Sequence, residues 1–162
     1  MVLNRGIGND DNGGDPAPHR KQHINDTLLP APGRMLLELP FTMADLARLR
    51  FLVTRRAEDT GLCDPRLSDF VLAVHEVASN AVVHGGGKGR FQLAYTGHGL
   101  RCVITDSGPG MIRQRPCESA TLPEGEEAED GRGLWLAQAL TDHFEVTVNE
   151  DGTTVTLVML LS

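Results

Sequence analysis

The chain of 162 residues has only three cysteines, Cys63, Cys102 and Cys117, an odd number with no C-x-x-C pair. That argues against a secreted disulfide framework and suits free thiols in a reducing cytosol. Long apolar runs are missing too. No segment approaches the roughly 20 apolar residues that span a bilayer, and the opening MVLNRGIGND lacks the apolar stretch of a signal peptide. Positive charge is in deficit: 15 Lys and Arg stand against 22 Asp and Glu, a formal net charge of -7. General affinity for nucleic acid or anionic lipid needs clustered Lys and Arg, so neither partner is expected. Nor is there an internal repeat. What is there is an acidic chain of one domain's length, long enough to bury a core without disulfides or metals, and expected in the cytoplasm.

Residues 1–32, from MVLNRGIGNDDNGGDPAPHR into LLPAPG, are dense in Gly, Asn, Asp and Pro and show neither helical nor strand periodicity. Such a segment buries too little apolar surface to offset its ordering entropy, and a disordered tail is expected there, with the domain over 33–162. RMLLEL opens the domain as a short strand, Met35, Leu37 and Leu39 on one face. Thr42 with Asp45 has the pattern of a capping box, after which Leu46, Leu49, Leu52 and Val53 recur at helical spacing until Gly61. Asp64 and Pro65 signal a second helix, apolar from Leu67 through Val82 and stopped by the glycines from Gly85.

The period then changes to two. FQLAYTG and LRCVITD alternate as an antiparallel hairpin around Gly-His-Gly, and FEVTVN with TTVTLVML forms another around EDG. Between them lie a long loop, residues 107–130, and a short helix that begins with GRGL. Hairpins stand where a parallel fold would need crossovers. The fold expected is therefore an α+β two-layer sandwich, helices packed on one face of a mostly antiparallel sheet. The acidic part of the loop, residues 117–130, reads as a lid or binding loop, or else as an acidic insertion.

Chemistry concentrates in three places. In HEVASNAVVHGGG, Glu76, Asn80 and His84 recur every fourth residue and form one polar stripe on an otherwise apolar helix, either a solvated face or a site. A Glu facing a cleft can deprotonate a hydroxyl, an Asn carbonyl oxygen is a hard ligand suited to Mg2+, and a His at a helix end also suits the dipole. DSGPG, from Asp106 to Gly110, follows a strand; its carboxylate can accept from an amino group such as that of adenine, although the same residues make an ordinary turn. GRGL, from Gly131 to Leu134, sits where a helix N-terminus would favour phosphate. Two sharper patterns fail. HEVAS has Ser79 where a zinc protease needs its second His, and GGGKG puts Gly89 where a P-loop needs Ser or Thr and follows a helix instead of a strand.

E-x-x-x-N on a helix, D-x-G-x-G after a strand and G-x-G-L opening a helix, in that order, resemble the GHKL (Bergerat-fold) ATPases over residues 34–161, GTTV at 152–155 included. The resemblance implies ATP and Mg2+, with Asn80 as metal ligand and Glu76 as catalytic base. It implies that Asp106 binds adenine, that Gly108, Gly110 and Met111 shape the pocket, and that His84 is among the nucleotide contacts. Gly131, Arg132, Gly133 and Leu134 would border the phosphates beneath a lid over about 111–130, and Thr153 would support Asp106. Pro109 departs from the family pattern at the second motif. The form E-x-x-x-N-A-x-x-H-G, with neither a transducer domain nor a helical hairpin carrying a phosphoacceptor His, is similar to bacterial anti-sigma factor serine/threonine kinases. That likeness implies sequestration of a sigma factor and phosphorylation of an anti-anti-sigma protein, and it leaves room for a homodimer. The competing readings are a non-catalytic ATP-binding or partner-sequestering module and an orphan ATPase domain that serves a separate sensor.

Overall fold

The computed structural model describes residues 33–108 and 128–161, with side chains of the second stretch from Arg132 onward. The expected tail and most of the expected lid lie outside the described residues, as do Pro109, Gly110, Met111 and Cys117. The elements follow in the order β1 (Arg34–Thr42), α1 (Leu46–Glu58), α2 (Arg66–His84), β2 (Lys88–Tyr95), β3 (Gly99–Asp106), α3 (Ala128–Leu140), β4 (His143–Asn149) and β5 (Gly152–Leu160). Residues 128–130, placed at the end of the lid by sequence, form the first turn of α3.

The strands make one sheet in the order β1-β2-β3-β5-β4, every pairing antiparallel. α1 lies over β1, α2 over β2, β3 and β5, and α3 beside α2. This is the expected α+β sandwich. In β3, Leu100, Cys102, Ile104 and Asp106 are buried in alternation and set the helix-facing side. Phe91 and Leu93 on β2 and Val155, Leu157 and Met159 on β5 meet them in register. Met35 leaves the face it was expected to share with Leu37 and Leu39: the register shifts between Met35 and Leu37, which breaks the alternation, and Met35 is half exposed.

α2 buries Leu67, Phe70, Val71, Ala73, Val74, Val77, Ala78, Ala81 and Val82. Valine costs a helix up to roughly 0.7 kcal/mol per residue by propensity, whereas burying one stabilises by about 1.5–3 kcal/mol, so packing decides the conformation. The start of α2 lies one residue later than the sequence suggests, with Pro65 in place of Asp64 as the N-cap, while Asp64 Oδ1 accepts from the Ser68 backbone N–H at 3.1 Å and from its hydroxyl at 2.5 Å. Asp45 likewise accepts from the Thr42 backbone N–H at 2.9 Å and hydroxyl at 2.8 Å, but the turn it closes, Met43–Asp45, is 3-10 and hands over to α1 only at Leu46.

The sheet has two distinct poles. The β2–β3 turn lies at one; there Arg34 pairs with Tyr95 and the Leu161 N–H donates to the His98 carbonyl at 2.9 Å, so both ends of the described domain flank that turn. At the other pole β3 ends in Asp106, β5 begins at Gly152 and α2 ends at His84.

Candidate functional site

The second pole gathers the three chemical motifs around the C-terminal half of α2. Glu76, Asn80 and His84 are each half-buried between the fully buried residues of their helix, so the stripe is neither core nor open surface. It looks onto α3. A Cβ on Gly133 would lie 2.8 Å from Glu76 Oε2 and 3.2 Å from Asn80 Nδ2, so only glycine lets α3 approach those two polar groups this closely. An open cleft of about 250 Å³ lies here, lined by Glu76, Arg132, Gly133 and Leu136.

Asn80 Nδ2 is buried and has no hydrogen-bond partner among the described residues. A buried unsatisfied amide costs about 1–3 kcal/mol, so the arrangement is disfavoured unless something polar supplies the partner. A phosphate oxygen would satisfy the Nδ2 donor, and the Oδ1 acceptor of the same amide is of the type that binds Mg2+. With the Glu76 carboxylate beside it and the exposed Arg132 at the rim, the donor set fits a magnesium-bound polyphosphate.

Asp106 ends β3 only 3% exposed, and its Oδ1 accepts the Gly108 backbone N–H at 3.0 Å, which fixes the orientation of the carboxylate. Thr105 pairs with Thr154, so the next step along that register sets Asp106 beside Thr153, which is buried on the same side of the sheet. Glycines close the surroundings. A side chain on Gly85 would run into the Asp106 carboxyl, one on Gly108 would meet the Gly85 backbone at 2.5 Å, and one on Gly152 would collide with the Asp106 carbonyl. The carboxylate is thus packed between the end of α2 and the start of β5, which holds it rigid.

Of the residues singled out in the sequence, the structure brings Glu76, Asn80, Arg132 and Gly133 together at the cleft, and Asp106, Gly108 and Thr153 together at the strand ends. His84 closes α2, one residue before Gly85. Leu134 is partly buried and packs against the hydrophobic core. Gly131 to Leu134 fall in the first two turns of α3, which begins three residues earlier than GRGL suggests, so Gly133 serves the packing on α2 and not the helix start. Leu136 was not singled out, and Gly85 and Gly152 were quoted only within longer patterns, with no role at the site. For Gly85 the sequence showed a helix stop, and for Gly152 the turn EDG, but the close approach of each to Asp106 comes from the distant β3 and leaves no local trace.

The comparisons with known proteins agree with this fold. A family described as the histidine kinase-like ATPase domain matches residues 39–159. No curated protein matches the chain. Among solved structures, the fold is similar to that of the RsbU and RsbW domains of Rv1364c from Mycobacterium tuberculosis, with a TM-score of 0.52 and 22% identity over 76% of this chain. The match covers 32% of that longer chain.

Proposed function

The chain belongs to the histidine kinase-like ATPase domain family, and on that premise we propose that it is an ATP-dependent serine/threonine kinase of the anti-sigma type. It would phosphorylate an anti-anti-sigma protein and sequester a sigma factor. The observation that carries the reading is the meeting of Glu76 and Asn80 against Gly133, because a module that only binds nucleotide or partner has no need of a carboxylate base in the cleft. Likeness to a structure that includes an RsbW domain supports the fold of that reading.

The residues divide the work. Asp106, held by Gly108 and supported by Thr153, accepts a hydrogen bond from the adenine amino group. Gly110, Met111 and His84 complete the nucleotide contacts, and Gly131, Arg132 and Leu134 border the phosphates. Asn80 is the metal ligand. Bound Mg2+ supplies charge neutralisation to the triphosphate, the largest requirement of phosphoryl transfer. Glu76 orients the incoming serine or threonine hydroxyl and takes its proton as the oxygen attacks the terminal phosphorus and ADP departs. General-base catalysis contributes about 100-fold to 10,000-fold, so Glu76→Ala is expected to reduce transfer by at least that lower figure while binding of nucleotide persists.

The test is transfer of labelled phosphate from ATP to a candidate anti-anti-sigma protein by wild type and Glu76→Ala. Acid-stable label from the wild type alone supports the reading. Acid-labile label on a partner points instead to histidine phosphorylation in a multi-protein sensor. If neither protein transfers phosphate although the complex with the antagonist forms, the kinase assignment fails and a non-catalytic sequestering module takes its place.

A further inference from the structure

Arg66 is the first residue of α2, roughly 15 Å along the helix from Glu76. Its guanidinium pairs through Nη2 with Asp142 Oδ2, and its Nε donates to the Leu160 carbonyl at 3.2 Å. Asp142 Oδ2 also accepts the Leu160 N–H at 2.7 Å, and the Asp142 N–H donates to the Val158 carbonyl at 3.0 Å. One guanidinium and one carboxylate therefore close both backbone groups of Leu160, beyond the point where His143 pairs with Val158 and β4 begins. The clasp joins the start of α2, the link after α3 and the end of β5.

α2 and α3 run antiparallel. They meet at Glu76 and Gly133 near the cleft and are tied at Arg66 and Asp142 at the opposite pole. We propose that the Arg66–Asp142 clasp is a positioning device for the nucleotide cleft: it sets how α3 lies along α2 and so holds Gly133 against Glu76 and Asn80. The inference rests on the nucleotide-site reading above. Leverage decides its importance. Gly133 lies about 13 Å along the chain axis from Asp142, so a swing of roughly 5° at the clasp moves it by about 1 Å. Misplacement of that order costs on the order of 100-fold in a positioned reaction. As a stability element the pair is minor, because both side chains are about one-third exposed, and exposed ion pairs contribute little.

The experiment uses the full chain with Arg66→Ala, Arg66→Lys, Asp142→Asn and the exchanged pair Arg66→Asp/Asp142→Arg. Hydrogen exchange is measured across 66–69, 132–137 and 138–142, and Mg-ATP affinity by calorimetry, with wild type and Asn80→Ala as references. Arg66→Ala is expected to keep its circular dichroism spectrum, to exchange severalfold faster across 132–137, and to lose about tenfold in affinity by displacement of the cleft. Arg66→Lys and the exchanged pair should recover part of both. Faster exchange confined to 66–69 and 138–142, or unchanged exchange and affinity in Arg66→Ala, overturns the proposal. Should Arg66→Ala fail to fold, Arg66→Lys and Asp142→Asn carry the same two readouts. If wild type binds no Mg-ATP, the nucleotide reading fails on its own, and exchange across 132–137 still decides whether the clasp positions α3.

Discussion

At the scale of single residues, Gly133 separates function from stability. Alanine there gains roughly 1 kcal/mol of helix propensity but puts a methyl group 2.8 Å from Glu76 Oε2. Gly133→Ala is therefore expected to melt within a few degrees of wild type while Mg-ATP affinity measured by calorimetry falls at least tenfold; equal affinity would show that the contact with Glu76 is irrelevant to the ligand. Asn80→Ala and Asp106→Asn are expected to abolish Mg-ATP binding and remain folded, and unchanged affinity in both removes the site assignment. The two described cysteines differ in the same way. Burial pushes the Cys102 thiol far above its ordinary value and keeps it protonated, whereas Cys63 is exposed. Iodoacetamide under native conditions should label Cys63 and reach Cys102 only after unfolding, as read by peptide mass mapping. Glu76, Asn80 and Asp106 were legible in the sequence because a fourfold spacing and a strand-end carboxylate are local signals. Gly85 and Gly152 were not, because each is required by the approach of Asp106 from another element.

At the scale of elements, the β1–β2 pair shows how an edge strand is held. Glu38 accepts hydrogen bonds from Arg90 and from Gln92, the latter at 3.1 Å, and the Arg90 bond is the main reason its carboxyl lies below the ordinary 4.5. A carboxyl depressed in the folded state stabilises above its unfolded value and loses that contribution as pH falls through the folded one. The urea midpoint of wild type should therefore exceed that of Glu38→Gln at pH 6, and the gap should close as pH is lowered below 4.5. A gap that persists in acid would assign the difference to side-chain packing. The boundaries of α3 illustrate what an element's sequence conceals. Gly-Arg-Gly reads as a helix start because glycine is poor inside a helix, yet α3 begins at Ala128 and tolerates Gly133 where it lies against α2.

At the scale of the whole molecule, the helix layer and the sheet share one core, so a large cavity at its centre should be felt everywhere. Phe70 is fully buried on α2 beneath the cleft's own helix. Phe70→Ala is expected to lower stability by about 3–5 kcal/mol in urea unfolding, with loss of Mg-ATP binding only as the fold is lost. A smaller penalty would mean that the core collapses around the gap. The fold class was legible because two hairpins and two amphipathic helices are each local patterns. The sheet order was not, since β5 reaches its place between β3 and β4 through pairings as distant as Gly99 with Leu160, which no periodicity encodes.

The placement of the domain's ends has a consequence for building with it. Arg34 and Leu160 pair with the outer sides of the β2–β3 hairpin, which puts them three strand spacings, about 14 Å, apart. Asp106 lies at the far end of the strands, roughly 25 Å away, and the Glu76 side of the cleft roughly 15 Å along α2 from Arg66. A host loop could thus accept residues 33–161 as an insert across a narrow gap, and anything tethered at either junction would trail from the pole opposite the nucleotide.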